Sequence, residues 1–202
     1  AAFVIEEGGA LSNTGTITVR ELGANSLVIL GTLTNSGTVN NLCARINMIG
    51  TLNNTGTVNN EEFSEFLVQD SAVMNGLAID NDRMTALVFS ESELRSMMTV
   101  KGYTHLRLED EVELAAALTV PENTHLTVVA TDGLVSLKLV TGATLTLSSG
   151  SELTTESDFS VPAIAQIWIA GGTLDADEGS VGNNSTLYYT AGSMTLPTPL
   201  DE

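Results

Sequence analysis

Apolar and polar residues alternate in short bursts broken by glycine and asparagine, the pattern of brief β-strands with one wet face. It is clearest in three blocks that align without gaps: Gly9-Ala-Leu-Ser-Asn-Thr-Gly-Thr-Ile17, Gly31-Thr-Leu-Thr-Asn-Ser-Gly-Thr-Val39 and Gly50-Thr-Leu-Asn-Asn-Thr-Gly-Thr-Val58. Their shared form is G-x-L-x-N-x-G-x-[IV], at offsets of 22 and 19 residues. Weaker echoes return at Gly150-Ser-Glu-Leu153, Gly172-Thr-Leu174 and Gly192-Ser-Met194. A period of roughly 20 residues predicts an all-β fold, a parallel β-helix (solenoid) in which each coil buries its apolar positions against the coil before it. Strands flanked by Asn-x-Gly also suit an antiparallel meander of three hairpins. The ungapped alignment and an aromatic content of only 4% favour stacked coils.

In such a coil Leu11, Leu33 and Leu52 point inward, as do Ile17, Val39 and Val58, while the flanking Thr and Ser face solvent. Asn13, Asn35 and Asn54 fall in register, which predicts an interior amide ladder that satisfies their polar groups along the stack. Gly15, Gly37 and Gly56 are expected at turns, where glycine tolerates positive φ.

The Gly-Asn repeat fades over residues 61–89, where strands are expected at Phe66–Val68 and Leu87–Phe89. Ser90-Glu-Ser-Glu93 then forms a capping box and predicts a short capping or inserted helix near residues 90–98, with Leu94, Met97 and Met98 on its apolar face. This divides the chain into two solenoid segments, 1–89 and 90–202. In the second, Leu137 and Leu139, then Leu145 and Leu147, repeat the strand alternation. Ile167, Trp168 and Ile169 place apolar residues on both faces of one strand, which predicts a cover or a contact there.

Seven Lys+Arg stand against 25 Asp+Glu, a formal charge of −18. Such a surface repels phosphate backbones and anionic lipid, so nucleic acid is not an expected partner. No run approaches the ~18 apolar residues of a transmembrane helix. The single cysteine, Cys43, excludes an internal disulfide and reads as a small packing residue.

Two features give the chain a family likeness: the G-T-L-x-N-x-G-T-V form at residues 31–39 and 50–58, and the order Ser92-Glu-Leu-Arg95, Val112-Glu-Leu-Ala-Ala-Ala-Leu-Thr-Val-Pro121, His125-Leu-Thr-Val128. In these it resembles bacterial cell-surface β-helix proteins, the large repetitive adhesin-like proteins of gut and other Gram-positive bacteria. Asn123 stands where those proteins usually carry glycine. The resemblance implies a right-handed, pectate-lyase-like solenoid, exported and surface-exposed as part of a larger protein, with glycans or host and cell-surface proteins as partners. The implied role is structural or adhesive and non-catalytic, with no cofactor.

The same scaffold also carries polysaccharide lyases and glycoside hydrolases, so an enzyme is the alternative. A lyase of acidic sugars needs a cation and a strong base beside it. The nearest calcium-like cluster is Asp175, Asp177 and Glu178; the second is Glu109-Asp110-Glu111-Val-Glu113, and neither has an obvious base next to it. The Asn of each block replaces the Asp that calcium-binding nonapeptides require. His105 and His125 lie one coil apart and are expected on adjacent rungs, without a third metal ligand. Trp168, Tyr188 and Tyr189 are the aromatic residues placed to stack on sugar rings. Ice binding needs a persistent Thr-x-Thr rank, which the coil alignment lacks.

Overall fold

The computed structural model describes residues 2–20, 27–61, 63–76, 79, 84–128, 135–155, 159–161, 165–176, 179–181 and 186–195. It divides into two compact units, Ala1–Ala86 and Leu87–Glu202. Each is a parallel β-solenoid, and they are described in turn.

In the first unit each coil contributes to three parallel sheets. One sheet contains β1 (Phe3–Ile5), β4 (Leu27–Ile29), β7 (Arg45–Met48), β10 (Glu65–Val68) and the start of β12 (Met84–Val88). The second contains β2 (Ala10–Asn13), β5 (Thr32–Asn35), β8 (Thr51–Asn54) and β11 (Val73–Gly76). The third contains β3 (Thr16–Arg20), β6 (Thr38–Leu42) and β9 (Thr57–Asn60). Register follows the repeat: Leu11 opposes Leu33, Leu33 opposes Leu52, and Ile17, Val39 and Val58 form the matching column. Leu33, Val39, Leu52, Ile29, Ile46 and Met48 are buried, and each such side chain contributes about 1.5–3 kcal/mol by leaving water.

The block explains two strands of each coil; the third, β4 and β7, was not marked by the repeat. Its inward residues come from Leu27-Val-Ile29 and Arg45-Ile-Asn-Met48, which share no glycine or asparagine signature with one another.

Glycine in the block has a different cause from the one expected. None of Gly15, Gly37 and Gly56 has positive φ. A Cβ on Gly37 would instead lie 2.0 Å from the carbonyl oxygen of Gly15, and one on Gly56 would lie 2.0 Å from that of Gly37. Coils touch backbone to backbone at this corner, and any side chain would wedge them apart. The left-handed position falls to Cys43 at φ 51, in the turn between β6 and β7. Cys43 is half-buried there, so it is a turn residue and not the buried packing residue expected.

The second unit opens with α1 (Glu91–Arg95), which continues as a π-turn over Ser96–Val100. Ser90 accepts from the Glu93 N–H, and the Glu93 carboxylate accepts from the Phe89 N–H at 2.7 Å. Leu94, Met97 and Met98 are buried. On the polar side Glu91 and Arg95 pair at 2.6 Å. Glu91 accepts from the Ala115 N–H at 3.1 Å, and Arg95 donates to the carbonyls of Ala116 and Ala117 at 3.0 and 2.9 Å. The helix thus fastens the 115–117 loop.

The strands that follow are β13 (His105–Leu108), β14 (Glu111–Leu114), β15 (Leu118–Val120), β16 (His125–Val128), β17 (Ser136–Leu139), β18 (Thr144–Leu147), β19 (Glu152–Thr155), β20 (Phe159–Val161), β21 (Gln166–Ala176), β22 (Gly179–Val181) and β23 (Thr186–Thr195). Strand β21 runs across two faces: its first half pairs with β18 and its second with β19. Gly171, at φ 94, turns the corner between them. Strand β23 follows β21 along its length. Leu106, Leu126, Leu153 and Leu174 form one inward column and are buried. Asn123 takes φ 56, so it serves the turn at which glycine is usual. Among the described residues no helix is long and apolar enough to cross a membrane.

Candidate functional site

The outward positions of β18, β21 and β23 form the most ligand-like surface of the second unit. Alternation sends Ile167 and Ile169 into the core, both buried, and leaves Trp168 between them on the outer face. Trp168 opposes Thr146 on one side and Tyr188 on the other, and Thr119 opposes Thr146. The neighbouring outer column is Thr144, Gln166 and Thr186. Trp168 and Tyr188 stack with ring centroids 3.9 Å apart and planes at 15°. The indole N–H of Trp168 donates to Gln166 Oε1 at 3.2 Å. Tyr188 flanks Trp168 from the neighbouring strand, and among the described residues Trp168 stays 37% exposed, so the cover expected over this face is not seen there.

The rings of neighbouring strands stack face to face, and both residues stay partly exposed, Trp168 at 37% and Tyr188 at 38%. Tyr189 does not join them. One residue on, it opposes Ile169, is 56% exposed, and its hydroxyl donates to the Gly192 carbonyl at 2.6 Å.

The acidic clusters resolve differently. Asp177 and Glu178 lie outside the described residues; Asp175 stands on β21 between Thr154 and Thr195 in its column. In the other cluster Glu109 pairs with Arg107 at 2.6 Å and Glu111 pairs with Lys138. Asp110 accepts from the Glu111 N–H at 2.7 Å. Among the described residues no three His, Cys, Asp or Glu side chains converge on a position for a metal ion.

His105 and His125 oppose each other, with centroids 4.7 Å apart and planes at 8°. The next rung carries Glu152, whose Oε2 lies 2.9 Å from His125 Nδ1. Sequence reasoning missed Glu152 because the coil between them is long: the pair is 27 residues apart, not about 20.

In the first unit the amides of Asn13, Asn35 and Asn54 form a continuous ladder. Asn13 Nδ2 donates to Asn35 Oδ1 at 2.7 Å, and Asn35 Nδ2 donates to Asn54 Oδ1 at 2.8 Å. All three are buried. A second interior rung was missed: Asn41 Nδ2 donates to Asn60 Oδ1 at 3.2 Å. Its signal was present in the repeated Thr-Val-Asn-Asn of residues 38–41 and 57–60. Outer rungs join Asn59 to Asn40 and Asn75 to Asn53. Of the two Asn-x-Ser/Thr triplets, Asn53-Asn-Thr55 begins on β8, and Asn184-Ser-Thr186 begins outside the described residues.

No protein-family model, curated protein or solved structure matches the chain.

Proposed function

We propose that this chain is a non-catalytic structural or adhesive module, secreted or displayed at a cell surface, that presents a polar solenoid face to glycan or protein partners. The observation that carries the reading is the Trp168–Tyr188 stack, set on an outer face whose neighbouring positions are Thr119, Thr144, Thr146, Gln166 and Thr186. A sugar's C–H face packs on the exposed part of the Trp168–Tyr188 pair, and the hydroxyl and amide neighbours bond its hydroxyls. The buried aliphatic columns beneath it, Leu145 with Ile167 and Leu147 with Ile169, hold that surface rigid, so little ordering cost falls on binding. The strong acidic excess favours neutral or cationic glycans and basic protein segments over polyuronates. The reading requires no cofactor.

A glycan microarray probed with the purified chain and with Tyr188→Ala tests it. Retention of one glycan class by the parent, lost at least tenfold in the variant, is expected. Retention unchanged by Tyr188→Ala removes this face from the account.

A further inference from the structure

The chain has two histidines, and the fold sets them face to face. His105 on β13 and His125 on β16 are Cα partners on neighbouring rungs, both half-buried on the outer face. Leu106 and Leu108 on one strand, and Leu126 and Val128 on the other, lie in the core between and beyond them. Moving either ring off this face would turn those apolar side chains into water, so the register that buries the core also fixes the pair.

Glu152 continues the column, with its Oε2 2.9 Å from His125 Nδ1. An ionised carboxylate only accepts, so Nδ1 carries the proton, and in the neutral ring the lone pair stands on Nε2. Thr104 Oγ1 lies 3.3 Å from His105 Nδ1 and can accept from it in the same tautomer. A carboxylate or hydroxyl on one ring nitrogen, leaving the other to coordinate, is the arrangement that orients metal-bound histidines and raises their basicity. The cation nearest along β13 is already matched, since Arg107 pairs with Glu109 at 2.6 Å. The formal charge of −18 further concentrates cations at the surface.

We propose that His105 and His125 form an open site for a divalent transition-metal ion of the copper(II) and zinc class, held through both Nε2 atoms. Glu152 is its positioning residue, acting on the ion through the His125 ring. Imidazole nitrogen suits such ions, whereas calcium and magnesium require oxygen ligands. Bonds of about 2.0–2.1 Å to each nitrogen bring the two nitrogens within about 4.2 Å of each other. Binding therefore turns the parallel rings toward one another and out of their stack, a movement open to half-buried side chains on an outer face. Among the described residues no third His, Cys, Asp or Glu joins them as a ligand, so solvent completes the coordination. The inference is independent of what the Trp168–Tyr188 face binds.

Copper(II) chloride titrated into the full chain tests the site, followed by calorimetry and by electron paramagnetic resonance. One ion per chain is expected, with the hyperfine pattern of two imidazole nitrogens; zinc displaces it and a large excess of calcium does not. His105→Gln and His125→Gln are each expected to weaken that ion at least ~10-fold. Glu152→Gln is expected to weaken it about 10-fold while both nitrogens stay in the spectrum, a signature that separates positioning from ligation. A parent spectrum without two imidazole nitrogens overturns the proposal before any variant is made. So does an affinity that both histidine substitutions leave unchanged, which would place the ion on surface carboxylates. An affinity indifferent to Glu152→Gln overturns the role given to that residue.

Discussion

Asn35 donates its side-chain amide to Asn54 Oδ1 at 2.8 Å inside the core, so two successive coils are joined by a bond that no backbone atom makes. Asn35→Ala leaves Asn54 Oδ1 without this donor and is expected to cost about 2 kcal/mol. Asn35→Asp is expected to cost more, about 3 kcal/mol or above at neutral pH, because it buries a charge and sets oxygen against oxygen. Burial raises the introduced carboxyl's folded-state pKa above its unfolded value. Its penalty is therefore full above that folded pKa and is relieved as the pH falls through it. Denaturant midpoints of both variants at neutral pH and near pH 4 check the order and the sign.

Gly37→Ala and Gly56→Ala are each expected to destabilise the first unit by more than about 2 kcal/mol, since backbone carbonyls, and not flexible side chains, occupy the space required. That is a fall of roughly 8 °C or more in melting midpoint for a unit of this size. A shift within a degree of the parent would refute backbone contact at this corner.

The repeat made the first solenoid legible because its glycines and asparagines are dictated by contact between coils, and such contacts recur with the period. Leu94, Met97 and Met98 were legible for a different reason, since one capping box and one helical stripe sufficed. The strands β4 and β7 were not legible because burial alone specifies them, and many apolar triplets serve equally well. Gly37 was found at the right place for the wrong reason: sequence shows that glycine is needed, not whether torsion or a neighbour needs it. Tyr188 facing Trp168 depends on a register across β21 and β23 that only the fold fixes.

Burial alone would raise the Glu91 carboxyl, but Arg95 and the Ala115 and Ala116 N–H groups outweigh it and hold the group below the ordinary carboxylate value. A depressed folded pKa gives stability that is present above the unfolded carboxylate value and lost as the pH falls through the folded one. The parent is expected to lose this contribution on acidification, whereas Glu91→Gln, already without it, flattens that part of the profile. Melts between about pH 5 and pH 2.5 check the difference.

The chain has one tryptophan, so its emission reports Trp168 alone. Tyr188→Ala removes the stacked ring and is expected to shift that emission to the red while costing only about 1 kcal/mol of stability. Tyr189→Ala, on the opposite face of the strand, should leave the emission wavelength almost unchanged.

The central claim is that the chain presents a surface and performs no depolymerisation. The most direct test incubates the purified chain at high concentration with a panel of soluble polysaccharides, calcium present, and follows their size by chromatography. Every substrate is predicted to keep its size distribution. Shorter oligosaccharides from any one of them, abolished with Asp175→Asn, would contradict the account and make the solenoid an enzyme.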